Sequence, residues 1–254
     1  MSHPLVLLGH QQAVSIITLN RPERSNSLVP ELLSQLRSAL VEVGERESTR
    51  AVVLTATGPA FSTGGDVQGF WDHRETLAAY ASEIVGLLND VMLTMLRLPQ
   101  PIVTPVHGVV TGGSLGLILA SDVVLVSPVA SFRPWYGVVG FSPDGGWTAL
   151  LPDVIGHQRA RSILLTDQAV TAEEAVEWGM ASELVPADQL LVTAMRIASV
   201  VGDQQPGTVR HAKQLVVGDL AGVGERLEAE REHFVHQVVT SEAREGMARF
   251  LGVG

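Results

Sequence analysis

The chain has 254 residues, of which 46% are hydrophobic and 17% charged, enough to bury the core of one large α/β domain or of a domain with an appendage. It contains no cysteine, which excludes a disulfide framework, a thiolate nucleophile and a cysteine-held metal. A net charge of −10 argues against nucleic acid as a partner, and an anionic ligand then needs local arginines or backbone donors.

The opening MSHPLVLLGHQQ has no basic stretch and only a short apolar run, so no signal peptide is read there, and the cysteine-free composition fits a cytoplasmic location. Leu5 to Leu8 and Val14 to Leu19 read as short strands around a turn at Gly9-His10-Gln11-Gln12. A polar loop, Asn20 to Ser27, leads to Pro30. From there Leu32, Leu33, Leu36 and Leu40 fall at helical spacing, with Gly44 as the stop. Ala51 to Ala56 is of strand length. Phe61-Ser62-Thr63-Gly64-Gly65-Asp66 is a glycine turn in which Asp66 can cap the next helix. A long helix is expected from Glu75 to Leu98, with Met92 and Met95 as core filler.

Ile102 to His107 reads as a buried strand. Gly112-Gly113-Ser114 then open a helix to Ala120, and Asp122 to Val126 is a further strand. The apolar stretch Leu115 to Val126 is broken by Ser121 and Asp122, so no membrane span is expected. Strand, turn, helix and strand in repetition predict mostly parallel pairing with helices outside. After Asp144 the strand signal fades. Helices are expected over 148–151, 157–165, 171–178 (opened by the capping box Thr171 to Glu174), 188–200, 206–217, 224–239 and 242–250. The charge-rich run Glu225 to Glu232 reads as a solvated helix face. A shift from apolar to charged helices near residue 200 divides a core, 1–200, from a helical C-terminal region, 201–254.

Two features carry chemistry. N–H groups at a helix start lack intrahelical acceptors and carry partial positive charge, so a glycine turn there suits a phosphate or a developing oxyanion. Glycine pairs also serve tight turns and close packing. Asp144 stands among Trp135, Tyr136, Phe141, Gly145, Gly146 and Trp147, and a carboxyl among apolar neighbours is a candidate acid/base, though an aspartate before glycines is also an ordinary turn residue. The histidines show no close-spaced metal pattern, so no metal site is proposed.

With these pieces in place the sequence resembles the crotonase superfamily, the enoyl-CoA hydratase/isomerase family. The carriers are ITLNRPERSNSL (17–28), GPAFSTGGD (58–66), PIVTPVHGVVTGGSLGLILASD (101–122), FSPDGGWTALLPDVIGHQRA (141–160), VTAEEAVEWGMASELVP (170–186) and EGMARFL (245–251). The resemblance implies a spiral of β-β-α units packed against C-terminal helices that associate the chain as a trimer or a pair of trimers. It implies an acyl-CoA substrate, with no permanently bound cofactor and coenzyme A arriving as part of the thioester. It gives the thioester-oxygen contacts to the N–H groups of Gly65 and Gly113. CoA would lie near Arg24, Ser25 and Ser27, with Leu28 beside the pantetheine and Thr63 and Asp66 near the adenine; Trp135, Tyr136 and Phe141 would face the acyl group.

The departures from the family pattern decide the expected reaction. The two glutamates used by the hydratases correspond to Gly116 and Tyr136, neither of which is a carboxylate. Asp144 stands where several family isomerases, and the aromatic-acyl-CoA dehalogenases, carry a catalytic aspartate. The expected activity is therefore a Δ3 to Δ2 shift of an enoyl-CoA double bond by one carboxyl. The dehalogenase branch also uses a histidine on the long helix, where Asn89 or its neighbours stand here; His73 lies too far back to match. A non-catalytic acyl-CoA-binding homologue is the remaining alternative.

Overall fold

The structure, a computed structural model, describes residues 3–253. Its elements in chain order begin with strands β1 (Val6–Gln11) and β2 (Val14–Leu19), helix α1 (Pro30–Glu45), β3 (Ala51–Ala56), α2 (Val67–Asp72) and α3 (Leu77–Arg97). Then come β4 (Ile102–Val106), β5 (Val109–Thr111), a 3-10 turn (Gly112–Ser114), α4 (Leu115–Leu119), β6 (Val123–Val126), β7 (Ser131–Arg133) and α5 (Tyr136–Val139). The rest is α6 (Leu151–Ile155), α7 (His157–Thr166), β8 (Val170–Thr171), α8 (Ala172–Glu177), β9 (Glu183–Leu184), α9 (Leu190–Gly202), α10 (Pro206–Val217), α11 (Leu220–Val238) and α12 (Ser241–Leu251).

The main sheet has six strands in the order β1-β2-β3-β4-β6-β9, parallel throughout except for the opening hairpin. The strand sequences explain why both faces are covered. In β3, Val52 and Leu54 enter one cluster with α1 and α3, while Ala51 and Val53 enter a second cluster with Leu190, Ala194 and Ala198 of α9. Side chains alternate faces along a strand, so a continuous apolar run needs helices on both sides. Helix α1 begins at Pro30, as its sequence predicts, and buries Leu32, Leu33, Leu36 and Leu40.

The structure moves several boundaries. β1 continues through Gly9 to Gln11, and the turn falls at Gln12-Ala13 with Gln12 left-handed (φ 54°). His10 and Gln11 are exposed on an edge strand, where polar residues are tolerated. Gly44 lies inside α1 rather than ending it; a Cβ there would come 3.1 Å from Leu98 Cδ1, so the glycine serves close packing. β5, β7 and β8 form a second, three-stranded sheet that the fading strand signal does not reveal, and β9 adds two residues to the main sheet. Strands of two or three residues are too short to show a periodic pattern.

The stretch 148–150 is a turn rather than a helix, and Leu151 opens α6. Gly145 and Gly146 are left-handed (φ 61° and 84°), and the N–H groups of Thr148 and Ala149 bond a glutamate side chain instead of preceding carbonyls. The capping box at Thr171 forms: its hydroxyl accepts Glu174 N, and the Glu174 carboxylate accepts Thr171 N. Helix α3 is long and apolar enough to cross a membrane by length and composition, which the sequence reading does not anticipate; its buried face, Met92 and Met95 included, packs into the core beside α1 and α11. α11 lies along α3, and α12 packs on α5 and α2 of the same chain.

Candidate active site

The two glycine turns are built against each other. Ser62 bridges Val110 in parallel, and Ser114 Oγ donates to Ser62 O (2.9 Å) and Thr111 O (2.7 Å). A Cβ at Gly64 (φ 74°) would come 2.5 Å from Thr111 O, so only glycine allows this approach. Leu28 N donates to Gly64 O (2.7 Å) and Asp66 N donates to Leu28 O (3.0 Å). In that parallel bridge the N–H of Gly65 points away from Leu28. Gly113 is the second residue of the 3-10 turn entering α4, where N–H groups have no acceptor within the turn. Both glycines line one cavity of about 600 Å³.

The residues given catalytic or binding roles from the sequence border this cavity: Gly65, Gly113 and Asp144, with Arg24, Ser25, Ser27, Leu28, Thr63, Asp66, Trp135, Tyr136 and Phe141; Trp147, Gly145 and Gly146 do not. Asp66 occupies the N-cap position of α2 but makes no cap bond. Its carboxylate instead accepts Arg21 Nη2 (2.8 Å) and Arg24 Nη2 (2.7 Å). Burial works against its charge, and the two guanidinium groups overcome that and hold its pKa below the ordinary value. Arg21 escapes the sequence reading. It also donates to Ser27 O and Oγ, so it braces the loop, while the half-exposed Arg24 stands at the cavity. Thr63 is tied to Ser25, whose carbonyl accepts Thr63 N (3.1 Å).

Asp144 is buried, and its Oδ1 accepts the phenol of Tyr136 at 2.6 Å. Burial raises its pKa to about 7; the Glu230 charge pushes the same way, and the Tyr136 hydrogen bond pulls against both. A Cβ at Gly113 would sit 2.9 Å from Asp144 Oδ2 and 3.0 Å from Oδ1, so the whole carboxyl lies beside that glycine. Of the aromatic residues expected to desolvate Asp144, Trp147 is fully buried, with Nε1 donating to Gly112 O (2.8 Å) and its ring edge-on to Tyr136. Phe141 packs on Phe70 and Phe234. Trp135 is 36% exposed and edge-on to Phe250, so it serves the rim of the cavity rather than the burial of Asp144.

Position 116 has no room for a side chain: a Cβ there would meet Met92 Sδ at 2.5 Å and Gly145 O at 2.9 Å. Tyr136 is also buried, and its phenol is pushed well above the ordinary value by burial and by Asp144. Asn89 turns from the cavity and donates to Leu227 O (3.0 Å), joining α3 to α11. His73 stacks on Tyr80, and His107 bonds Gly58 O (3.0 Å).

The expectation of a solvated face on α11 fails at Glu230, which is 4% exposed. The sequence carried a signal for this. Glu230 falls on the stripe Val223, Leu227, Phe234 and Val238, all buried at helical spacing.

Two glycine N–H groups and one buried carboxyl around an apolar cavity form a site able to stabilise an oxyanion beside an acid/base. The sequence profile described as Enoyl-CoA hydratase/isomerase matches residues 9–252. A probable enoyl-CoA hydratase of Mycobacterium tuberculosis is 39% identical over 234 residues, covering 89% of this chain and 82% of its own. The 1,2-epoxyphenylacetyl-CoA isomerase of Escherichia coli is 30% identical over 248 residues, covering 96% and 95%. The crystal structure of an enoyl-CoA hydratase/isomerase from Mycobacterium paratuberculosis superposes with a TM-score of 0.90 at 25% identity, covering 97% of this chain and 98% of that one. The chain belongs to the enoyl-CoA hydratase/isomerase family and has the crotonase fold.

Proposed function

We propose that this enzyme shifts a double bond in an acyl-CoA thioester, from Δ3 to Δ2, with Asp144 as its single acid/base. The observation that carries the reading is the contrast among the carboxyls at the cavity. Glu23 is exposed and Asp66 is bound between two arginines, whereas Asp144 alone is buried among apolar groups with a pKa near neutrality. A base with a pKa near the working pH is ionised in useful fraction and still basic.

In this mechanism the N–H groups of Gly65 and Gly113 hold the thioester oxygen. Asp144 Oδ2 removes a proton from C2, and the electron pair moves through C2–C3 as a dienolate. The same carboxyl returns the proton to C4, leaving the double bond between C2 and C3. Two preorganised donors stabilise such an oxyanion by roughly 3–4 kcal/mol each, and the proton transfer contributes roughly 10²–10⁴-fold. Tyr136 occupies Oδ1 and so leaves one oxygen for the substrate. Hydration by two glutamates is disfavoured, because Gly116 is packed shut and Tyr136 is not a carboxylate. Arg24, Ser25, Ser27, Leu28, Thr63 and Asp66 would flank coenzyme A, and Trp135, Tyr136 and Phe141 the acyl group; no permanent cofactor is needed.

The same reading includes a homotrimer or a pair of trimers, associated through the helical region 201–254, and a cytoplasmic location. Exposed Leu215 and Val216 on α10 suit an association face, and sedimentation measures the assembly. The activity test is a spectrophotometric assay with 3-enoyl-CoA and 2-enoyl-CoA. Conversion of 3-enoyl to 2-enoyl with little hydration is expected; hydration of 2-enoyl-CoA at a comparable rate would overturn the reading.

A further inference from the structure

Glu230 is a buried carboxyl that the proposed reaction does not use. Its Oε1 accepts Thr148 N (2.7 Å), Thr148 Oγ1 (2.7 Å) and Ala149 N (2.9 Å), and its Oε2 accepts Gly146 N (2.8 Å). All four donors lie in the turn that follows Asp144. That turn supplies no acceptors of its own for these groups, and it runs through left-handed backbone at Gly145 and Gly146 (φ 61° and 84°). It also presses on the other half of the site: a Cβ at Gly145 would come 2.3 Å from Gly113 O. A displacement of the turn therefore moves Asp144 and Gly113 relative to each other.

We propose that Glu230 is a positioning residue for Asp144: from α11 it clamps the 146–149 backbone, which aims the Asp144 carboxyl past Gly113, and it fixes a negative charge behind that carboxyl. The proposal rests on the reading of Asp144 as the acid/base. Four converging donors call for a group that only accepts, and a protonated or amide side chain would turn a donor onto a donor. Burial raises the Glu230 pKa above the ordinary carboxyl value, and the four donors oppose that shift without cancelling it. Its charge in turn adds to the raised pKa of Asp144.

The other groups around the pair do not cancel this charge. Tyr136 of α5 donates to Asp144. Leu88 and Met92 of α3 press apolar groups against Gly113 and Gly116. Arg226 of α11 donates to Ala149 O (2.9 Å) and pairs with the exposed Asp153 of α6, so its cation points outward. Arg231 is paired with Glu228 near the surface.

The test is a carboxyl carbon-13 NMR titration of the full chain labelled at aspartate, with the Asp144 signal identified by its loss in Asp144→Asn. In Glu230→Gln, Oε1 can keep its three donors while the charge disappears. Asp144 is then expected to titrate about one pH unit lower, with a tenfold shift in the proton affinity of that carboxyl. The isomerase kcat should fall with KM unchanged. Should that variant fail to fold, Glu230→Asp keeps the charge but withdraws it by one methylene; it is expected to retain the Asp144 titration and lose kcat at constant KM. An Asp144 titration unmoved in folded Glu230→Gln, or an unchanged kcat in Glu230→Asp, overturns the proposal. The titration needs no turnover, so a protein that shifts no double bond but shows the coupling refutes the reaction and leaves the link from Glu230 to Asp144 standing.

Discussion

The Tyr136 phenol donates to Asp144 Oδ1 across 2.6 Å at a buried wall of the cavity, from the position that the resemblance assigns to a second glutamate of the family's hydratases. A second carboxylate there would stand beside Asp144 and leave no donor for Oδ1. The tyrosine instead satisfies Oδ1 in a carboxyl that lies beside Gly113.

Removing that donor isolates its effect. Tyr136→Phe deletes a hydrogen bond that lowers the Asp144 pKa, so the carboxyl must titrate higher than about 7. A hydrogen bond to a charged group is worth roughly 1.5–3 kcal/mol, or about one to two pH units. The rising limb of the kcat/KM profile moves up by that amount, and turnover at pH 7 falls roughly ten- to a hundredfold while thioester binding stays. A limb that does not move contradicts the assigned contact.

The same carboxyl makes the fold sensitive to pH. Its pKa is raised in the folded state to about 7, so the folded protein binds a proton that the unfolded chain releases at an ordinary carboxyl value. Stability from this group is fully present below the unfolded pKa and is lost as pH rises through about 7. The loss is about 4 kcal/mol at most by linkage, for a shift of about 3 units. Asp144→Asn removes the ionisation while its amide oxygen still accepts from Tyr136. It should melt several degrees above wild type at pH 8 and close to wild type at pH 4, as measured by calorimetry. Equal melting temperatures at pH 8 would show that Asp144 is not destabilised by burial.

Position 116 cannot simply regain the missing glutamate. Even Gly116→Ala forces Met92 and the Gly145 carbonyl apart, and overpacking of this kind costs roughly 1–3 kcal/mol. Gly116→Ala should lower Tm by several degrees, and Gly116→Glu should yield no hydratase activity. Efficient hydration by the glutamate variant would show that the contact relaxes freely.

Trp135 is held at the rim by an unusual backbone. It is left-handed (φ 62°), which costs a non-glycine residue roughly 1–2 kcal/mol. Asp167, itself left-handed, offsets this by accepting Trp135 N (2.8 Å), and it also pairs with Arg133, whose guanidinium lies over the indole. Asp167→Ala should release the indole from the cavity rim and raise KM several-fold for bulky acyl-CoA substrates, with kcat within about threefold, since Asp144 lies elsewhere. An unchanged KM would remove Trp135 from acyl binding.

The parts of this site that could be read from sequence are those set by local backbone chemistry. Gly65 and Gly113 announce themselves because glycine pairs between an apolar strand and a helix mark a turn that other residues cannot make. Asp144 stands out through its aromatic and glycine neighbours. Arg21 and Glu230 were hidden for a different reason: a charged residue reads as exposed until tertiary packing buries it. Arg21 sits in the same loop as Arg24 and both pair with Asp66, so only the folded contacts of Arg21 with Ser27 distinguish the bracing arginine from the exposed one. Glu230 lies on an apolar stripe, but its donors come from residues more than eighty positions earlier in the chain. The short strands β5, β7, β8 and β9 exist only because neighbouring segments pair with them.

In the proposed reaction Asp144 performs the chemistry and the rest of the cavity performs the binding. The measurement that tests it most directly is single-site: kcat for a 3-enoyl-CoA in wild type and Asp144→Asn, with the Kd of a non-reacting acyl-CoA thioester measured calorimetrically on both. A kcat lower by roughly 10²–10⁴-fold in the variant is expected, with a Kd within about threefold of wild type. A variant that turns over within tenfold of wild type would show that another group moves the proton.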